Sequence, residues 1–333
     1  MPKALKSVLQ YAVMMLLTAG LLWLSLRGID VGEGKNKSDV IWNAWSHSNK
    51  GYLLLMAVFL MISQFIRAER WRMLMEPTGN YVKFGNSLLS LFIGYLVNLA
   101  IPRGGEISRC YNLYKLEKTP VEVSFGTVVV ERITDVLCLF MLIVISFIVE
   151  WTKLEAFIRS LPFGSGSEMK IPIWFILAAV AGVGILVALY LLRKNEKLRK
   201  IFEGFRDGLL SVVKLKNKGL FIVYSAAIWA MYFLMTFFVM KAFPETQHLG
   251  YSAVLTLFAI GAIAMAAPLP GGAGSYHTLV PMGLVSLYSL RQSDAIAFVF
   301  VFHAWQTAFF IVFGFISLII SYFVIRWKNQ QTK

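Results

Sequence analysis

Residues 88–106 read LLSLFIGYLVNLAIPRGGE and residues 254–274 read VLTLFAIGAIAMAAPLPGGAG. In each, an apolar run (Leu88 to Ile101, Val254 to Ala267) ends in a cluster of proline and glycine. Each run is about 14 residues, or roughly 21 Å of helix at 1.5 Å per residue, against a bilayer core of about 30 Å. Proline removes a backbone donor and clashes with the preceding turn, so the helix breaks there. A short apolar helix that ends inside a membrane and turns back is a re-entrant hairpin, and the two breaks predict two of them.

The surrounding sequence supplies the membrane. Apolar residues form 58% of 333 residues, and the mean hydropathy is +0.67, well above a soluble domain. Six stretches approach or exceed the roughly 20 residues that cross a bilayer: Val8 to Leu26, Gly51 to Ile66, Ser124 to Val149, Ile171 to Leu192, Gly219 to Met240 and Ala295 to Ile325. The first begins like a signal peptide, with Lys3 and Lys6, but Ser25-Leu26-Arg27-Gly28 offers no clear small-residue cleavage site, which favours a retained span. The expected fold is an all-α integral membrane domain over residues 1–333, with about six full spans and two re-entrant helical hairpins.

The two breaks resemble each other. Ser90-Leu91-Phe92 aligns with Thr256-Leu257-Phe258, and Pro102 with Pro268, at an offset of 166. One inserted residue later, Gly104-Gly105-x-x-Ser108 matches Gly271-Gly272-x-x-Ser275, and Ile145-Ser146 matches Ile316-Ser317 further on. Their common order predicts an internal duplication: repeat A at about 8–150 and repeat B at about 171–325, joined around 150–171.

Charge then orients the halves. The net charge is +14, and loop placement explains it better than nucleic acid does. Residues 193–218 hold nine Lys/Arg against three acids and are expected to be cytoplasmic, their charge setting the topology, with contact to anionic headgroups the second reading. With both termini cytoplasmic and each hairpin returning to its side of entry, the inside segments carry 22 Lys/Arg and the outside loops 9. In this arrangement the two halves have inverted topology, the layout from which many transporters build midplane sites.

The first break carries Arg103, Glu106 and Arg109 around Gly104-Gly105, and the next span carries Glu131, Arg132 and Asp135. Glu131 lies roughly 15 Å along a helix begun near Val121, close to mid-bilayer. A centred charge costs about 2.5–3.5 kcal/mol on insertion scales, so three in five residues require a reason. One is mutual pairing that fixes the hairpin. The other is binding of a phosphate by Arg103, Arg109 and Arg132, whose planar forks suit it, aided by N–H groups at the start of the return helix. The second break has no arginine and offers Gly271, Gly272, Gly274, Ser275, Tyr276 and His277, with His303 and Gln306 in the last span. The histidines are packed residues or proton carriers; without acidic or cysteine partners at ligand spacing they predict no metal site. Cys110 and Cys138 predict packing. Arg67-Ala68-Glu69-Arg70-Trp71-Arg72 closes the second span and reads as an interfacial anchor. No nucleotide or hydrolase motif appears, so no cofactor and no catalytic residue is expected.

Asn98-x-x-x-Pro102-x-x-Gly105-Glu106-x-x-Arg109, then Glu131-Arg132-x-x-Asp135, then Pro268-x-Pro270-Gly271-Gly272-x-Gly274 resembles the lysylphosphatidylglycerol synthase transmembrane, or flippase-like, family over about residues 50–325. The resemblance implies translocation of a lipid with a polar or charged headgroup across a prokaryotic cytoplasmic membrane, either an aminoacylated phosphatidylglycerol or a polyprenyl-phosphate-linked glycolipid. Bifunctional relatives add a soluble aminoacyl-transfer domain. The chain's end at Lys333, eight residues past Ile325, leads us to expect a stand-alone member that does not itself make the lysyl-lipid. His277 stands where many relatives carry an acid, which puts a cationic headgroup in question.

The implied partner is a membrane lipid substrate; a second copy of the chain and a lipid-synthesising enzyme stay open. Two further readings stand beside the flippase. One is an integral-membrane glycosyltransferase using a polyprenyl-phosphate sugar, with Glu106 or Asp135 as base. The other is a non-transporting protein that holds a lipid for another enzyme.

Overall fold

The computed structural model describes residues 23, 36–152, 155, 196–266 and 273–331. The expected spans Val8 to Leu26 and Ile171 to Leu192 lie outside the described residues except for Trp23, and so do Pro268 to Gly272. Among the described residues the chain is helical, with no strand. A short helix α1 (Lys37–His47) leads to α2 (Lys50–Met75), α3 (Phe84–Ala100), α4 (Gly104–Glu117) and α5 (Val121–Val149). Then follow α6 (Glu196–Leu209), α7 (Lys218–Lys241), α8 (Tyr251–Ala266), α9 (Ser275–Tyr288) and α10 (Gln292–Gln331).

The helix ends follow local chemistry. Asn49 starts α2 by accepting the backbone N–H groups of Gly51 at 2.9 Å and Tyr52 at 3.4 Å, and Asn217 starts α7 by accepting that of Leu220 at 2.9 Å. Pro120 fixes the entry to α5. Gly79, at φ 80°, ends the turn after α2 in the left-handed region that suits glycine.

Three described helices, counting the short turn that extends α2, are long and apolar enough to cross a membrane: Lys50–Thr78, Lys218–Lys241 and Gln292–Gln331. Helix α5 has 29 residues and matches them in length. Large apolar side chains face outward along these helices: Phe140, Ile148 and Ile222 are each more than 60% exposed. Around a soluble protein such patches would drive association; around a membrane protein they meet lipid.

The first break falls at its proline: α3 ends at Ala100 and α4 begins at Gly104, on either side of Pro102. Helices α3 and α4 pack against each other, as do α8 and α9. The α3–α4 contact is backbone to backbone: a Cβ on Gly105 would lie 2.1 Å from the Gly94 carbonyl oxygen. In the second pair a Cβ on Gly261 would lie 2.9 Å from Tyr276 Cε2.

The packing is reciprocal. Helix α2 lies along α7; α10 packs on α3, and α5 on α8; α1 packs on α10, and α6 on α5. The corresponding helices begin 168, 167, 171 and 171 residues apart (Lys50 and Lys218, Phe84 and Tyr251, Gly104 and Ser275, Val121 and Gln292). The two helices of the second pair therefore begin four residues farther apart than those of the first, so Ser275 takes the place of Gly104 instead of Ser108. The core follows the same division. Its largest cluster joins Leu53, Met56 and Leu60 of α2 to α7 through α10, whereas the first hairpin rests on a smaller group around Trp71, Cys110, Leu113 and Val128.

Candidate functional site

The site begins at the first break. Arg103 precedes α4 at φ 59°, a left-handed conformation that disfavours side chains other than glycine. The Gly105 N–H donates to Asn98 Oδ1 at 2.7 Å, which ties the last turn of α3 to the first turn of α4. Glycine at 94 and 105 permits that approach. A recess opens there, lined by Leu91, Gly94, Tyr95 and Asn98 of α3, Gly105, Glu106 and Arg109 of α4, and Arg132 of α5.

Ion pairs tie these helices together. Arg109 Nη2 donates to Glu131 at 2.6 Å, both groups being buried, and the Arg109 guanidinium lies 4.6 Å from the Trp71 ring centroid. Arg132 Nη2 reaches Glu106 at 2.7 Å near the surface and lies 3.8 Å from Asp135. The expected charge cluster is thus assembled, and its members pair with one another.

The interfacial-anchor reading of Arg67 to Arg72 needs correction. Helix α2 runs on to Met75, and Arg67 and Arg70 are buried at 4% and 0% exposure. Asp135 accepts from Arg67 at 3.0 Å and from Arg70 at 2.8 Å, one oxygen each. Arg67 also donates to the Tyr232 hydroxyl at 3.0 Å and Arg70 to Ser225 at 3.2 Å. Trp71 is buried too and donates to Thr127 at 2.9 Å. Only Arg72, paired with Glu69, stays partly exposed as an anchor would. The two arginines are three residues apart and continue the face of Leu60, Ser63 and Gln64, all buried. That helical spacing was the available signal; a hydropathy window registers charge and not the partner that will neutralise it. Asn98, present in the quoted motif, is another residue of the candidate site whose part emerges only from the turn geometry.

Arg103 itself is exposed, and no ion pair or hydrogen bond engages its side chain among the described residues. It sits beside Gly104 and Gly105 at the edge of the recess, the one guanidinium of the break left for an outside partner.

At the second break, Gly271 and Gly272 lie outside the described residues. Gly274 takes φ 95° before α9, and its N–H donates to His277 Nδ1 at 3.4 Å. Ser275 Oγ donates to the Ala264 carbonyl at 2.7 Å, closing α9 onto α8. The His277 and His303 rings meet edge to face with centroids 4.7 Å apart, and Tyr276 stacks on His303 at 5.6 Å. His277 is the third residue of α9 and His303 the twelfth of α10; Glu106 is the third of α4 and Arg132 the twelfth of α5. The corresponding positions therefore hold an ion pair in one hairpin and an imidazole pair in the other. No group of three or more metal-ligating side chains occurs among the described residues.

A multi-pass helical bundle with a proline-glycine break and a buried arginine–carboxylate network defines a polytopic membrane protein with a polar site inside it. The chain belongs to the family of the lysylphosphatidylglycerol synthase TM region, whose profile it matches over residues 7–314. It is 33% identical over 116 residues to a UPF0104 membrane protein of Methanocaldococcus jannaschii, covering 33% of this chain and 34% of that protein. It is 24% identical over 182 residues to a UPF0104 membrane protein of Methanothermobacter thermautotrophicus, covering 52% of this chain and 50% of that protein. The chain thus spans half or less of the length of these curated relatives.

Proposed function

We propose that this protein moves a lipid with a phosphate-bearing headgroup across a prokaryotic cytoplasmic membrane, the headgroup passing between the two broken helix pairs while the acyl chains stay in the bilayer. The observation that carries the reading is the first break, where Arg109 and Arg132 line the recess beside a glycine backbone and the exposed, unengaged Arg103 stands two residues before Gly105. Guanidinium groups favour an anion. Within the site, Arg103, Gly104, Gly105, Glu106, Arg109 and Arg132 would meet the headgroup, Glu131 and Asp135 would hold the guanidiniums in position, and Gly274 to His277 with His303 would form the opposite wall.

The reciprocal packing and the matched helix starts support two inverted repeats with re-entrant hairpins. The excess of Lys/Arg in the inside segments supports cytoplasmic termini. Asp135 does not fit the base of the glycosyltransferase reading, because both its oxygens accept from guanidinium donors. Glu106 gives only one oxygen to Arg132, so translocation without a new covalent product is the result that separates the flippase from that reading.

The test is lipid translocation in vesicles reconstituted with purified protein, read as loss of acyl-labelled fluorescent lipid to a non-permeant quencher. Arg103→Ala should lower translocation about tenfold without lowering the melting temperature. An unchanged rate would overturn the assigned site.

A further inference from the structure

We infer that the first break accepts a headgroup carrying two negative charges, a phosphate monoester or a diphosphate, in preference to a phosphodiester or an aminoacylated lipid. This rests on the lipid-binding reading above and adds the charge class of the ligand.

The charge inventory carries it. From the break and the following span alone, three arginines balance three carboxylates. The buried pair from α2 changes that balance: Arg67 and Arg70 lean on Asp135, which Arg132 also approaches. Four guanidiniums then share Glu106, Glu131 and Asp135, and Arg103 at the recess edge is a fifth. The excess is two positive charges. Helix ends do not alter the sum, because the C-terminus of α3 and the N-terminus of α4 meet at the same turn and their dipoles offset each other.

Unmet hydrogen bonds point the same way. In the recess wall the Nε–H of Arg109, a side chain 3% exposed, has no acceptor among the described residues. Glu106 Oε2, in the same wall, is buried without a donor among the described residues. A ligand with several anionic oxygens and a nearby hydroxyl supplies both kinds of partner. A phosphodiester brings one negative charge against an excess of two, and an aminoacyl headgroup adds a further positive charge. A phosphate monoester brings nearly two above its second ionisation at about pH 6.

The experiment compares labelled phosphatidate, a monoester, with labelled phosphatidylglycerol, a diester, in vesicles of neutral lipid. At about pH 8 phosphatidate should move roughly tenfold faster, and the preference should vanish near pH 5, where the monoester keeps a single charge. Arg103→Gln should reduce phosphatidate to the diester's rate at the higher pH, and Arg103→Lys should restore the preference. Unlabelled polyprenyl monophosphate and diphosphate as competitors separate the two dianion sources: whichever inhibits at lower concentration is the better fit. Equal rates for the two labelled lipids, or a preference that does not change with pH, would overturn the inference while leaving translocation intact. If neither lipid moves, the translocation reading fails. Native mass spectrometry of the purified protein with the same two lipids then decides the charge preference by itself: preferential retention of phosphatidate upholds it, and equal retention overturns it.

Discussion

The two broken helix pairs occupy corresponding places in the helix order, yet one is built around charge and the other around apolar packing. Counting along matched helices, Arg67 and Arg70 of α2 stand where α7 has Met235 and Phe238. Arg109 of α4 and Glu131 of α5 stand where α9 and α10 have Val280 and Phe302. In the second half Met235, Val280 and Phe302 belong to the main hydrophobic cluster, with Phe238 packed against it. Both solutions hold a helix pair in place, so the ion pairs are not needed for architecture. A buried ion pair is seldom more stable than apolar residues of similar volume. Its retention in the first half therefore points to use, and the excess of arginine there points to an anion. Polar side chains persist at corresponding positions in both hairpins where Glu106 and Arg132 match His277 and His303.

The largest expected effect breaks the charged side. Asp135→Ala leaves Arg67 and Arg70 buried without their shared carboxylate, which should cost about 3–5 kcal/mol. The measurement is thermal unfolding in detergent together with the yield of monodisperse protein. Gln306→Ala, at the matching place in α10, should change the melting temperature little; equal losses would erase the contrast between the halves.

The glycine contacts give the next comparison. Gly105→Ala sets a Cβ against the rigid Gly94 carbonyl, whereas Gly261→Ala meets the edge of the Tyr276 ring, which can shift. We expect about 1–3 kcal/mol of destabilisation for the first and less than half of that for the second. Unfolding curves of the two variants under one set of conditions settle the order.

The smallest effect concerns Arg103, whose left-handed backbone stores about 1 kcal/mol relative to glycine. Arg103→Gly should raise the melting temperature slightly while lowering lipid translocation, so that stability and activity move in opposite directions. At the second break, Gly274→Ala tests a positive φ from the other side. At φ 95° it should lose about 1–2 kcal/mol, measured by the same unfolding assay.

By itself the sequence determined the helical membrane class and the position and polarity of the first break. These are local properties: hydropathy over a window, proline's missing donor, and charges within one or two turns. It also located Arg109, Glu131, Arg132 and Asp135 as one cluster, because intramembrane charge is rare enough to be conspicuous. Tertiary structure decided how that cluster is wired. Arg67 and Asp135 are 68 residues apart and Arg109 and Glu131 are 22 apart, and only the packing of α2 and α4 on α5 makes them neighbours. It decided that Arg67 and Arg70 face inward instead of anchoring an interface, because an arginine's place depends on whether a carboxylate waits across the helix contact. It set Gly94 against Gly105, and His277 against His303, for the same reason. A window of sequence reports what each helix carries; which helix lies against it is a property of the folded bundle.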